Sequence, residues 1–514
     1  MSNLDSRNIE WSVVFLWILI AFFSITNLIW LNSDSMPPMW DQSAHLNICL
    51  NYLQIFQAPS RLSLTKILDV THYYPPFFYL STLPLTLVFG FSPDIVILTH
   101  LFYLAVLVFS IYGIGKYFIS PQVGAGAAVM TLLFPIVYGL SREALVDVPL
   151  LAMVTLAQYV LLICNGGLEK KRSWLLGLVM GLSFLTKWTA PIFFIGTFIF
   201  IAARSLRTEK LPKKEILLSL AILSVAFLAI ALPWFVRSFK EFFQIAKYAN
   251  VVDAVREGDP KSFSLAAFIW YLKDIKQALV SNALFPLAMI GIAGFLIWVR
   301  KWAFLIFALS WFLPAYIIFV GLPNKDGRFI IPLLPAVALI SSAGIFGFPW
   351  KNLRKAIWFA LFIVGIIQFY LTSFDGTYPA RFHYVRTPLR QDWKIEEILG
   401  NIKKKYLKRS VNIGILPSQP YFNHSNFSFY ANLLKLPFRI VDLGDEEITK
   451  EELLTCDVLI SKKENLAVKY AALYREKFNQ QLKEKGPAEF NLKEWKQFAL
   501  PDGTNAVLYL KKKS

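Results

Sequence analysis

Trp40-Asp41-Gln42-Ser43-Ala44-His45 comes shortly after the apolar stretch Trp11–Trp30. An apolar run of that length crosses a hydrocarbon core, which takes about 20 residues as a helix, so Asp41 stands where a span has ended and water begins. Asp41 and His45 are one helical turn apart and share a face if the piece is helical. Leu46, Ile48, Leu50 and Leu53 are interleaved with Asn47, Asn51 and Gln54, the pattern of an amphipathic helix lying on a bilayer. An acid held at the membrane surface, with the remaining chain folding back over it, organises the reading of the rest.

The chain has 514 residues, of which 56% are hydrophobic, and its mean hydropathy is +0.50. That is too apolar for a soluble domain of this size, and apolar runs recur at lengths that cross a bilayer. The first run does not read as a cleaved leader, because no small-residue cleavage site follows it and many more spans come after. A net charge of +18 would suggest nucleic acid in a soluble protein. Here the positive residues lie largely in loops between spans, which is the positive-inside pattern, and nucleic acid is excluded as a partner. Cys49, Cys164 and Cys456 have neither pairing nor metal spacing.

The basic clusters set the expected orientation. Lys170-Lys171-Arg172, then Arg204, Arg207, Lys210, Lys213 and Lys214, then Arg300-Lys301, then Lys351, Arg354 and Lys355 are expected in the cytoplasm. Trp174–Ala203 is too long for one span and returns to the same side, so it reads as a hairpin with Thr186-Lys187-Trp188 at an outer tip. Ile216–Trp234 then crosses outward and Phe235–Leu279 forms an outer, partly helical loop. Phe285–Val299, Phe304–Val320, Phe329–Phe346 and Ile357–Phe374 alternate in and out. Upstream, Ile95–Ile114, Val123–Leu140 and Val148–Ile163 do the same, whereas Phe77–Phe91, opened by Tyr73-Tyr74-Pro75-Pro76, fits an external interfacial helix. The fold class expected is an α-helical polytopic membrane protein of about eleven spans with interfacial helices. The N-terminus lies in the cytoplasm, and a small extracytoplasmic α/β domain follows the last span. The domains are 1–375 and 376–514; in the second, Val411–Leu416, Phe438–Val441, Val458–Ile460 and Gly503–Leu510 read as strands, and Phe427–Lys435 and Leu466–Lys485 as helices.

On this topology several ionisable residues reach the outer level together: Asp41 and His45, then Arg142, Glu143 and Asp147, then Lys187, then Lys325, Asp326 and Arg328. Taken singly, a Lys or Arg at a span end is usually a snorkelling anchor, and the Arg142–Asp147 group reads as an ion-paired helix start. Their convergence on one side points elsewhere. A lipid-linked sugar phosphate has its tail in the bilayer and its phosphate beside these cations, where Arg binds in a fork and Lys as a point charge. A carboxylate nearby can take the proton of an attacking hydroxyl while the cations stabilise the departing phosphate.

These residues resemble a family, the GT-C class of polytopic glycosyltransferases, in particular the branch of the protein O-mannosyltransferases and lipid A aminoarabinose transferases. The resemblance rests on Trp40-Asp41-Gln42 after the first span, and on His72-Tyr73-Tyr74-Pro75-Pro76-Phe77 opening an external helix. Ser141-Arg142-Glu143 followed by Asp147-Val148-Pro149, Leu185-Thr186-Lys187, and Lys325-Asp326-Gly327-Arg328-Phe329 complete it, in order, across Trp11–Phe374. It implies Asp41 as catalytic base; Asp147 is the other catalytic candidate, next in line for that role. Arg142, Lys187 and Arg328 would bind the donor phosphate, and His45, Gln42, Glu143 and Lys325 would support them. Gln42 departs from the family's second acid, which leaves acceptor type and metal dependence open; a divalent metal, if used, would draw on Asp41, His45 and Asp147. The C-terminal domain is not the β-trefoil of the eukaryotic mannosyltransferases.

The function expected is transfer of a sugar from a polyprenyl-phosphate donor to a lipid, glycan or protein acceptor on the outer side of the plasma (inner) membrane. The rivals are a ligase of lipid-linked sugars and a transporter or flippase. A transporter would show midplane charges, broken helices or two related halves, and none is visible in the sequence. Reporter fusions near Lys171, Lys210 and Lys351 should report the cytoplasm, and fusions near Asp41, Lys187 and Gly400 the outside. An outer Lys210 loop would overturn this topology.

Overall fold

The computed structural model describes residues 3–58, 63–208, 212–378, 383–407, 410–444 and 446–512; Lys210 lies outside them. The protein is a polytopic α-helical membrane protein with a small α/β domain, and its chain forms two compact units.

The first unit comprises 1–31, 59–90 and 97–387. Among the described residues six helices are long and apolar enough to cross a bilayer: Trp11–Ser33, Pro93–Phe118, Lys213–Glu257, Trp302–Gly321, Gly327–Gly347 and Lys351–Asp375. Phe77–Phe89, Pro121–Leu133, Asp147–Ile163 and Phe285–Val299 are shorter apolar helices, and Lys170–Thr186 and Pro191–Thr208 form the expected hairpin. Short helices suffice where protein surrounds them: nearly every side chain of Asp147–Ile163 is buried. The span expected at Val123–Leu140 breaks at Phe134, which is extended, and resumes at Pro135, because proline has no N–H to continue the ladder. By contrast the helix from Lys213 runs unbroken through Pro233 to Tyr248, well past Trp234. The Phe285–Gly294 and Leu334–Gly347 helices meet backbone to backbone, since a Cβ on Gly344 would collide with the Gly291 carbonyl; such small-residue contacts hold helices together where no hydrophobic driving force acts between them. Outward faces such as Ile199, Leu217, Val225 and Phe359 are exposed, as a lipid-facing surface requires.

The second unit comprises 32–58, 91–96 and 388–514. Its five-stranded sheet has the order β2-β1-β3-β5-β4, where β1 is Val411–Ile415, β2 Phe438–Asp442, β3 Val458–Lys462, β4 Leu492–Ala499 and β5 Asn505–Lys511. The first three strands are parallel, and β5 and β4 add antiparallel. Strand β3 is buried at every position, and its Val458-Leu459-Ile460 is the apolar run expected of a central strand. The sequence reading found four of these strands. It missed β4, a charged edge strand with only Leu492 and Phe498 buried, and the helix Ile395–Tyr406, which buries Ile395, Ile398, Leu399 and Ile402. The helix Trp40–Phe56 also belongs to this unit. It buries Leu46, Leu50 and Leu53, so these positions are packed in protein and not laid on lipid as the amphipathic pattern suggested.

At the edge of the sheet Arg475, 1% exposed, donates to Asp442 Oδ1 at 2.9 Å, and His424 Nδ1 lies 3.0 Å from Asp442 Oδ2. Burial raises the Asp442 carboxyl, but His424 and Arg475 outweigh it and hold the group below the usual carboxylate range. A depressed carboxylate stabilises the fold above its unfolded value near 4, and that stability is lost as pH falls through the folded value. Asp442→Asn should destabilise this unit by about 3 kcal/mol at neutral pH, by removing the carboxylate that His424 and the buried Arg475 share. Thermal unfolding of the full chain from pH 3 to 8 reads this: the gap between parent and variant should narrow toward pH 3, and a constant gap would refute the pairing.

Candidate functional site

The loop after Leu140 makes two tight turns, Arg142 N–H to Gly139 O and Leu145 N–H to Glu143 O, and delivers Asp147 to the first turn of Asp147–Ile163. An acid there is favoured by the helix dipole, yet Asp147 is 2% exposed, so its charge needs partners. Lys187 Nζ donates to Asp147 Oδ1 at 3.0 Å, and Arg328 Nη1 lies 3.9 Å from Oδ2. Lys187 is the residue at which Lys170–Thr186 ends, so its side chain projects from the hairpin tip. Arg328 follows Asp326, which caps a short 3-10 turn by accepting the Arg328 backbone N–H at 2.8 Å. Asp326 Oδ2 also accepts from Arg328 Nε and Nη2, both at 2.7 Å, fixing one edge of the guanidinium. Aromatic rings back both cations, Phe329 under Lys187 and Tyr384 under Arg328, each at 5.3 Å. The structure therefore brings Asp147, Lys187, Asp326 and Arg328 together from three loops, and the two cations keep 12% and 16% of their side-chain surface open.

Arg142 belongs to a different arrangement. Its Nε donates to Asn27 Oδ1 at 2.9 Å and its Nη1 to Ser373 Oγ at 2.8 Å. The rings of Trp30, Tyr138, Phe369 and Phe374 stand 5.2–5.8 Å from its guanidinium carbon. Glu143 is buried beside it, 3.8 Å from Arg386, whose own guanidinium stacks on Trp30 at 4.8 Å. This aromatic box holds the loop in shape. Lys325 is 4% exposed and donates its Nζ to the Leu322 carbonyl of its own turn, while its backbone N–H donates to Asp259 at 2.7 Å.

Asp41, Gln42 and His45 sit in the first turns of Trp40–Phe56, in the second unit. Asp41 is half-buried and His45 is 2% exposed. Gln42 is buried, and its Nε2 makes no hydrogen bond among the described residues. This helix is tied to the helix His424–Leu433 by amide groups: Asn426 Nδ2 donates to Ser43 Oγ at 2.9 Å, and Asn432 Nδ2 to Asn47 at 2.6 Å and Asn51 at 2.8 Å. Asn423 caps His424–Leu433 through a reciprocal box with Asn426, so Asn426 serves both the cap and the clamp. Among the described residues no group of three His, Cys, Asp or Glu side chains is arranged to hold a metal ion.

The sequence reading passed over His100. It is completely buried in Pro93–Phe118, and neither ring nitrogen has a hydrogen-bond partner among the described residues. An ionisable residue inside an apolar span was the available signal. Asp326 was named among the outer charges but not as a support for Arg328, and Tyr384 was missed because nothing in its sequence surroundings marks a contact with so distant a residue.

Residues 74–234 match the family model for dolichyl-phosphate-mannose-protein mannosyltransferase, a segment that includes Arg142, Asp147 and Lys187. No curated protein matches the chain at a significant level. The fold is that of the GT-C class, the polytopic membrane glycosyltransferases. Within that class the chain is similar to ArnT from Cupriavidus metallidurans in the apo state, at a TM-score of 0.62 and 11% identity over 97% of this chain and 98% of that one. The same protein bound to undecaprenyl phosphate matches at 0.60 and 12%, over 98% of both chains. The Archaeoglobus fulgidus oligosaccharyltransferase, tethered with an acceptor peptide, matches at 0.55 and 11% over 98% of this chain and 74% of that one.

The aromatic box predicts a structural role for Arg142. Arg142→Ala should lower stability by about 3 kcal/mol, because Glu143 and Arg386 lose a buried neighbour of their network, whereas Lys240→Ala, at an exposed position, should melt close to the parent. Unfolding in detergent distinguishes them, and an Arg142→Ala protein as stable as the parent would return Arg142 to the list of ligand-binding groups.

Proposed function

We propose that this chain is a membrane glycosyltransferase that moves a sugar from a polyprenyl-phosphate donor to a lipid, glycan or protein acceptor on the outer side of the plasma membrane. The observation that carries the reading is the pair Lys187 and Arg328, oriented by the buried Asp147 and left partly open in a fold of the GT-C class. Asp147 and Asp326 balance the two cations in charge, so what the pocket offers an anion is the part of the Lys187 and Arg328 side chains that stays open. The undecaprenyl phosphate bound by ArnT and the dolichol-phosphate bound by AglB from Archaeoglobus fulgidus are the kind of anion such a pocket suits. The orientation, with basic loops in the cytoplasm and the Lys187 tip outside, follows from the charge asymmetry.

In the proposed reaction the acceptor hydroxyl attacks the anomeric carbon, the bond from that carbon to the phosphate oxygen breaks, and the hydroxyl proton passes to Asp41. The phosphate departs on its lipid with one more negative charge, which Lys187 and Arg328 meet as it develops. Asp147, sealed and paired with cations, acts as a positioning residue, and Asp41 as the base.

Asp41→Asn keeps shape and removes charge, so transfer of labelled sugar from polyprenyl phosphate should fall about 10²–10⁴-fold while donor binding persists. Near-normal turnover would move the base elsewhere. Lys187→Ala and Arg328→Ala should each weaken donor binding about 10- to 150-fold, the range expected for a charge-assisted hydrogen bond, and lower kcat as well as raise KM. Parent-like donor binding by both would reduce them to membrane anchors.

A further inference from the structure

In the first unit the helices Pro121–Leu133 and Lys351–Tyr370 both begin at one cavity of about 800 Å³, whose lining includes Gln122, Trp298, Lys351, Arg354, Lys355 and Trp358. The cavity lies at the end of the bundle away from the Ser141–Asp147 loop. From it one helix leads through the break at Phe134 toward Ser141, and the other leads toward Ser373, the partner of Arg142. Lys351, Arg354 and Lys355 bring three positive charges to its wall, and among the described residues no carboxylate pairs with any of them. Arg354 Nη1 donates to the Phe346 carbonyl at 3.0 Å, which holds the side chain against the cavity and leaves the rest of its fork available. The Trp358 indole N–H is buried without a hydrogen-bond partner among the described residues. Two helix N-termini add their partial positive charge to the same space.

A second cavity of about 560 Å³ shares Gln122, Phe346 and Trp358 with the first and continues along Phe15, Val129 and Phe362. It is an apolar furrow between the first helix, Pro121–Leu133 and Lys351–Tyr370. Charge and furrow together have the outline of a lipid: an anionic head among cations, joined to a chain lying on hydrocarbon.

We propose that these joined cavities bind an anionic glycerophospholipid of the leaflet that the basic loops face. Its phosphate sits among Lys351, Arg354 and Lys355, and one acyl chain runs along the furrow toward Phe362. Basic pockets between membrane helices recognise lipid phosphates in this way. The site lies at the other end of the bundle from Lys187 and Arg328 and does not depend on the glycosyltransferase reading.

Native mass spectrometry of the full chain in detergent, titrated with dioleoyl phosphatidylglycerol, tests it. Phosphatidylglycerol should bind more tightly than phosphatidylcholine. The double variant Lys351→Gln/Lys355→Gln should weaken it by about fivefold per charge removed. Arg300→Gln/Lys301→Gln, which removes two charges outside the cavity lining, should leave binding unchanged. The Lys pair is chosen because Arg354 also braces the Phe346 carbonyl and its loss could disturb folding. Equal retention of phosphatidylglycerol by the Lys351/Lys355 variant would overturn the proposal, as would equal binding of phosphatidylcholine. Displacement of the lipid by millimolar inorganic phosphate would also overturn it, because the pocket would then be a site for free anions.

Discussion

A carboxylate shut away from water inside a membrane bundle is stable only if something answers its charge. Asp147 is answered by Lys187 at the hairpin tip and by Arg328 from a loop much further along the chain. Breaking such a buried pair leaves an uncompensated charge, at a cost of about 3–5 kcal/mol. The position of the hairpin tip and of the Asp326–Arg328 turn therefore follows from Asp147, and with them the placing of the cations that the proposed reaction uses. Arg328 is doubly constrained, by Asp326 on one edge and Asp147 near the other.

Around this centre the loop Ser141–Val146 is kept rigid by a different kind of interaction. Arg142 is held by two neutral side chains and four aromatic faces. Cation–π contacts in a desolvated box contribute on the order of 1–2 kcal/mol each, enough to fix the loop without a carboxylate hydrogen-bonded to the guanidinium. Arg142 and Lys187 look alike in the sequence, as cations near span ends. Their surroundings separate them: one braces the fold and the other stands partly open.

The acid-bearing helix is organised on another principle. Trp40–Phe56 is packed and hydrogen-bonded within the α/β unit by Asn426 and Asn432, so the second unit contains both the sheet and Asp41. This gives the C-terminal segment a structural part in holding the helix that bears Asp41, although its own sheet bears no phosphate loop. Neutral amides suit the task, because they fix register without adding charge that would perturb a neighbouring acid.

The bilayer made the helical bundle readable from the sequence. Every spanning helix must satisfy its own backbone, so apolar length and the Lys/Arg bias mark spans and loops with little help from context. The parallel strands β1, β2 and β3 were readable for a related reason, as short apolar runs flanked by turns. Asp147, Lys187 and Arg328 could be picked out as ionisable residues at span ends. Their pairing could not be, because it joins positions separated by 40 and 181 residues (187−147 and 328−147) and depends on how three loops close over one helix end. Tertiary structure alone also decided that Arg142 is boxed in by rings, that the polar face of Trp40–Phe56 meets another helix, and that Lys351, Arg354 and Lys355 share a cavity. Local pattern records what each segment needs from its solvent; which segments supply one another's missing partners is fixed only when the chain has packed.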